Sequence, residues 1–244
     1  MRLTLKSKYE YGIEFDGQRS NDFGLDVLDK VIGMPAKQKA VQPLPFTSNV
    51  IDLSGLYGGQ VYNERTIKIV FYVHEFNNMS KDHLYTMWTK AVNWLMNSTH
   101  KTKLKDDVMN NYYYLGEVQK EPNWTEFQMF GKLEVEFTCY PFRISELVEG
   151  NDIWDDFNFE LAIAQNTDYE ISGSKTITLF NVGTNSVAPQ LISTAPFTIT
   201  MNNNTFTLEA GTYNSPDFTL MTGENKLTVT GTGKLSFVWH KELI

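Results

Sequence analysis

The sequence predicts a mainly β protein in two domains, the first a sandwich- or barrel-like sheet carrying one α-helix, the second an all-β sandwich. Three observations predict it. Leu133, Val135, Phe137 and Cys139 alternate with Lys132, Glu134, Glu136 and Thr138, the period-two pattern of a half-buried antiparallel strand, and Pro141 stops it. One stretch alone, Ser80 to about Asn97, has a helical period. The charge balance then breaks where the alternating strand ends. Through Arg143 there are 17 Lys and Arg against 17 Asp and Glu, and from Ile144 onward 4 against 12, which gives the chain its net charge of -8. The expected divisions are therefore a domain over 1–143, a linker over 144–156 and a second domain over 157–244.

Within the first domain, Tyr9 to Phe15 and Leu25 to Ile32 read as strands closed by Asp16-Gly17 and Gly33-Met34-Pro35. An irregular stretch follows, from Pro43 to Gly59. Its Leu44, Phe46, Ile51, Leu53 and Leu56 would be unusual on a free monomer and mark a candidate subunit contact. Thr66 to Val73 repeats the period-two pattern, with Ile67, Ile69, Phe71 and Val73 inward. If it pairs with the Gly131 to Cys139 strand, Lys68 faces Glu134 or Glu136. Ser80 caps the helix, Asp82 suits its positive first turn, and Leu84, Met87, Trp88, Ala91 and Leu95 form its apolar stripe. Lys101 to Lys105 and Tyr112 to Val118 read as a hairpin, Pro122 and Asn123 as a turn, and Gln128 to Cys139 as the closing strand.

Ser145 to Asp156 reads as a polar connector. Beyond it, short strands are expected at 176–180, 190–193, 197–201, 205–208, 218–221, 226–230 and 234–239, with turns at 181–184, 202–204, 222–225 and 231–233. Evenly spaced short strands with Asn and Gly punctuation are the signature of a sandwich.

With 244 residues, 41% of them hydrophobic, the chain suffices for two modest cores. Its acidic balance argues against nucleic-acid binding, which needs clustered Lys and Arg. Cys139 is the only cysteine and falls on an apolar face, so it reads as a core residue. The first residues hold no apolar run of signal-peptide length, and the longest apolar run, Ile69 to Val73, is far too short to span a bilayer. The expectation is a soluble protein made in a cytoplasm.

No phosphate loop, HExxH, GxSxG or paired-cysteine motif is present, and no cofactor or metal site is expected. His74, His83, His100 and His240 are scattered without a second ligand at metal spacing. Asp152, Asp155, Asp156 and Glu160 could hold a cation or act as paired carboxylates on a glycoside, against the plainer reading of a solvated connector. Trp154, Tyr213 and Trp239, with Tyr169, are candidates for a saccharide-stacking platform, against the plainer reading of core aromatics.

Several segments together resemble the distal tail protein family of siphophages that infect Gram-positive bacteria. Ser20-Asn21-Asp22-Phe23-Gly24-Leu25 is similar to the family's opening signature, and Tyr62-Asn63-Glu64-Arg65-Thr66-Ile67 to its tyrosine-arginine strand. The helix with Trp94-Leu95 follows at the expected distance, and Phe137-Thr138-Cys139-Tyr140-Pro141 resembles the strand that closes the first domain. In the second half, Asn181-Val182-Gly183-Thr184 with Pro189, and Asn225 to Trp239, resemble the family's Asn-x-Gly-Thr turn and last hairpin.

The resemblance implies a virion structural protein without catalysis. Its first domain would form a hexameric ring that continues the tail tube above the tail-associated tip protein. Its second would be a galectin-like or carbohydrate-module-like sandwich where receptor-binding proteins dock. The alternative is a carbohydrate-binding module that aids adhesion to the host wall, which a local charge of -8 disfavours on anionic polymers. A hydrolase acting through the acidic connector is the third reading. Arg65 is expected to form a buried ion pair or to reach a ring interface.

Overall fold

The computed structural model describes residues 11–56, 59–73, 80–109, 111–128, 130–153 and 157–244. It divides into two units, one reaching to Arg143 and one spanning Ile144–Leu243, each with its own apolar core.

In the first unit the elements run β1 (Ile13–Phe15), β2 (Gln18–Arg19), a 3-10 turn over Ser20–Phe23, β3 (Leu25–Ile32), β4 (Val41–Pro43), β5 (Val50–Asp52), β6 (Arg65–Val73), α1 (Lys81–Met96), β7 (Thr102–Asp106), β8 (Tyr112–Val118), β9 (Asn123–Glu126) and β10 (Gly131–Cys139). The antiparallel sheet has the order β2-β1-β7-β8-β10-β6-β3, and β9 lies on the first half of β10. At its centre β6 and β10 pair along their whole length, from Gly131 opposite Val73 to Cys139 opposite Arg65. Both strands alternate buried and less buried residues without a break, as a sheet with one face on a core must. Lys68 stands opposite Glu136 and bonds it at 3.4 Å on the outer face.

Helix α1 covers the inner face. The Ser80 hydroxyl accepts a hydrogen bond from the His83 amide at 3.3 Å, as an N-cap does. The buried stripe is Leu84, Met87, Ala91, Trp94 and Leu95. Trp94 thus belongs to it, whereas Trp88, expected there, sits half-buried at its margin against Trp124. Trp94 is held at both ends: its indole N–H donates to the Phe15 carbonyl at 3.0 Å, and its ring stacks on Phe23 at 4.6 Å. That second contact explains the Ser20 to Leu25 segment. The 3-10 turn places Phe23, and Gly24, at φ +70°, ends the turn with its amide on the Asn21 carbonyl.

The expected turn at Asn123 and long strand from Gln128 are instead two strands. β9 folds back on β10 because the Trp124 ring packs directly against Gly131, where any side chain would collide with it.

The second unit runs β11 (Arg143–Val148), β12 (Asp168–Asn181), β13 (Gln190–Ser193), β14 (Phe197–Met201), β15 (Asn204–Leu208), β16 (Gly211–Tyr213), β17 (Gly223–Val238) and β18 (His240–Leu243). β17 organises it. One edge pairs with β12 along all of that strand; the other pairs first with β14 and then with β13. The partner changes near Gly231-Thr232-Gly233, which the sequence reads as a turn. These glycines lie within the strand: a Cβ on Gly231 would meet the Phe197 ring and stand 2.7 Å from the Pro196 carbonyl oxygen, so they serve close packing. The expected strand at 218–221 reduces to one bridge, Leu220 with Val187.

The expected connector also differs. Its first residues form β11, which pairs with β18, and Ser145 and Glu149 are buried. The sequence hides this because Glu149 is charged. Its partner, Lys241, equally buried, lies 92 residues later on β18, with Nζ 3.8 Å from the carboxylate. Trp154, Asp155 and Asp156 lie outside the described residues.

Candidate interaction surface

Strands β3 and β6 do not part where the sheet ends; they continue outward as a two-stranded ribbon. The Gly33 amide donates to the Thr66 carbonyl at 2.8 Å, Asn63 to Ala36 at 2.8 Å, and Gln38 to Val61 at 2.9 Å, with Lys37 bridging Tyr62. The ribbon ends in the β4–β5 pair, Val41 opposite Asp52 and Pro43 opposite Val50. Every residue of β4 and β5 is exposed. A lone hairpin is marginal in water, since three strands or a covering layer are needed to remove apolar surface from solvent.

The apolar residues expected as a subunit contact all lie on this ribbon and all face solvent: Leu44, Phe46, Ile51, Leu53 and Leu56, with Phe46 at the tip fully exposed and at φ +59°. Lys39 and Asp52 clip the two sides together at 2.8 Å. The ammonium hydrogen bond, with two more bonds from Ser54, holds the Asp52 carboxyl well below the usual carboxylate range. The clip lies at the base of the β4–β5 pair, and the tip beyond it is apolar.

Arg65 stands at the foot of the ribbon and is 2% exposed. The expected buried ion pair is not there: among the described residues no carboxylate lies within ion-pair distance. Its Nη1 donates to the Tyr114 hydroxyl at 3.1 Å, and the guanidinium lies over the Tyr114 ring at 5.0 Å. Neighbouring Glu64 turns outward to Lys101 at 2.6 Å. Cys139, opposite Arg65, is fully buried, and burial pushes its thiol up to about 12.

The saccharide candidates do not converge. Trp239 is 4% exposed in the core and cannot offer a ring face, which corrects its place in a platform. Tyr213 lies on β16 with its hydroxyl accepting from the Glu209 amide at 2.9 Å. Tyr169 is edge-on to Phe237 at 6.2 Å. Among the described residues no ring contact joins these three.

A cleft of about 410 Å³ does lie in the second unit, lined by Val148 to Asp152, Thr167, Asp168, Phe237 and Val238. Glu149, which sequence reasoning passed over, is its buried carboxylate. Burial raises its pKa, partly opposed by Lys241 and by the Gln165 amide at 3.3 Å. Glu160, another carboxylate candidate, sits where its amide donates to the Asn158 side chain. Among the described residues no group of His, Cys, Asp and Glu is placed to hold a metal ion, and no helix is long and apolar enough to cross a membrane.

No protein-family model matches the chain, and no curated protein matches it in sequence. Solved structures do. SPP1 Dit, described as a paradigm of the hub adsorption apparatus in phages infecting Gram-positive bacteria, superposes with a TM-score of 0.65 at 11% identity, over 96% of this chain and 99% of that one. The phage p2 baseplate in its activated conformation with Sr matches with a TM-score of 0.38 at 8% identity, over 95% of this chain and 96% of that one. The chain therefore has the fold of the SPP1 Dit protein over nearly its entire length.

Proposed function

We propose that this protein is a distal tail, or baseplate hub, protein of a siphophage virion, and that it acts through assembly and without catalysis. Six first units close into a ring that continues the tail tube above the tail-associated tip protein. The second units face outward and dock other baseplate parts, including the receptor-binding protein. The protein is made in the host cytoplasm and ends in the tail tip. The observation that carries this reading is the exposed apolar ribbon, uncovered on both faces, in a chain with the fold of a hub protein. Five exposed apolar side chains on one projection are the mark of a surface buried in an assembly.

Light scattering with negative-stain imaging tests it. The unmodified chain, alone or with the tail-tip partner, is expected to give a six-fold particle. Phe46→Asp with Leu53→Asp is expected to leave folded monomers. A chain that stays monomeric over a wide concentration range, and forms no ring even with the partner, overturns the proposal.

The carboxylate-lined cleft favours a second reading, saccharide binding by the second unit. Saturable binding of host-wall polysaccharide that is lost in Asp168→Asn would support it, and no binding would dismiss it.

A further inference from the structure

Arg65 is the largest fully buried side chain among the described residues. Only Nη1 is engaged, by the Tyr114 hydroxyl; Nε and Nη2 are buried and have no protein acceptor among the described residues. The two orphan nitrogens are not a random pair. Their N–H bonds lie parallel along one edge of the planar guanidinium, the edge that grips a single acceptor with two hydrogen bonds.

The charge is as poorly answered as the donors. A buried cation without a counter-charge costs several kcal/mol, and a guanidinium cannot escape by losing its proton as an amine does. Among the described residues no neighbour supplies the negative charge. Cys139, directly opposite on β10, stays a neutral thiol because burial pushes it up to about 12. Glu64 is turned away to Lys101. Tyr114 contributes its ring face and an oxygen that accepts from Nη1, which leaves its own hydroxyl hydrogen to give. Thr102, in the same cross-strand row as Gly116, Cys139 and Arg65, carries a second buried hydroxyl without a partner.

We propose that Arg65 holds one small monovalent anion, of halide size, at the foot of the ribbon, gripped by Nε–H and Nη2–H. A water molecule could accept the same two hydrogen bonds, but it would leave the buried positive charge in place; an anion answers both needs. Arg65 is the first residue of β6 and Cys139 the last of β10, so the anion would pin the end of the central strand pair where the ribbon departs.

Bromide is the probe, because it scatters anomalously. Crystals of the full chain grown in sodium bromide are expected to show an anomalous peak within hydrogen-bonding reach of Nε and Nη2. In solution, melting measured across a bromide series, with ionic strength held by a bulky organic sulfonate, is expected to rise in a saturable way. Arg65→Met should abolish that dependence. Arg65→Lys, which keeps a positive charge but lacks the paired N–H edge, should raise the half-saturating bromide concentration severalfold and serves if the methionine variant fails to fold. A solvent peak without anomalous signal at the guanidinium assigns water and overturns the proposal. So does a bromide dependence that is equal in the unmodified and variant chains.

Discussion

Gly116 and Cys139 give a test of the sheet in which two damaging changes should cancel. They face each other across β8 and β10, and a Cβ on Gly116 would stand 2.7 Å from the Cys139 sulfur. Gly116→Ala alone overpacks the core, a cost of about 1–3 kcal/mol, offset by up to about 1 kcal/mol because alanine restricts the unfolded chain. Its backbone is not in the left-handed region, so no strain adds to this. Cys139→Ala alone removes the sulfur from a fully buried site and should cost about 1 kcal/mol. In the double variant the new methyl group enters the space the sulfur leaves. The loss should then fall to about 1 kcal/mol or less, a favourable coupling of about 1–2 kcal/mol. Melting followed by circular dichroism reads this directly, at roughly 2–4 °C per kcal/mol for a chain of this size. Strictly additive losses would refute the pairing of these residues, and with it the register of β8 on β10.

Further outcomes follow from single contacts. Cys139 should resist alkylation at pH 8 in the native protein and react once denaturant opens the fold. Because burial raises its pKa from 9.0 to about 12, folding favours the thiol: that contribution is full below pH 9 and is lost as pH climbs toward 12, so Cys139→Ala should flatten the alkaline limb of a stability profile. Ser80→Ala should cost about 1 kcal/mol in a denaturant titration through loss of the bond to the His83 amide. Glu149→Ala removes the carboxylate 3.8 Å from the buried Lys241 ammonium and should cost about 3 kcal/mol, with the loss in the Glu149→Ala, Lys241→Met double variant smaller than the sum of the two single losses. A double-variant loss equal to the sum of the two single-variant losses would show that the pair is not energetically coupled.

What the sequence revealed depended on how local the signal was. The β6 and β10 strands, their pairing and the Lys68–Glu136 contact were legible because alternation fixes both face and register. The apolar residues of the ribbon stood out because nothing in their own stretch could cover them. Glu149 was not legible: its partner lies on β18, far along the chain, and a charged residue in a polar segment reads as solvated. Gly231 and Gly233 misled for a related reason, since a glycine that opens a turn and one that admits a neighbouring ring look alike until Phe197 is in place. Trp239 looked available for stacking because sequence cannot separate an aromatic on a surface from one in a core. Arg65 was correctly expected to be buried, but its aromatic support from Tyr114 depends on a strand pairing two strands away.

The sharing of β17 among three partner strands ties the fate of the second unit together. Freeing any one of β12, β13 or β14 strips backbone bonds from the same strand, so fraying cannot remain confined to a corner. Amide hydrogens on β17 should accordingly exchange last and with nearly one rate, through an opening that releases the whole sandwich at once. A module built this way can be pulled on at its rim and either holds or lets go entirely.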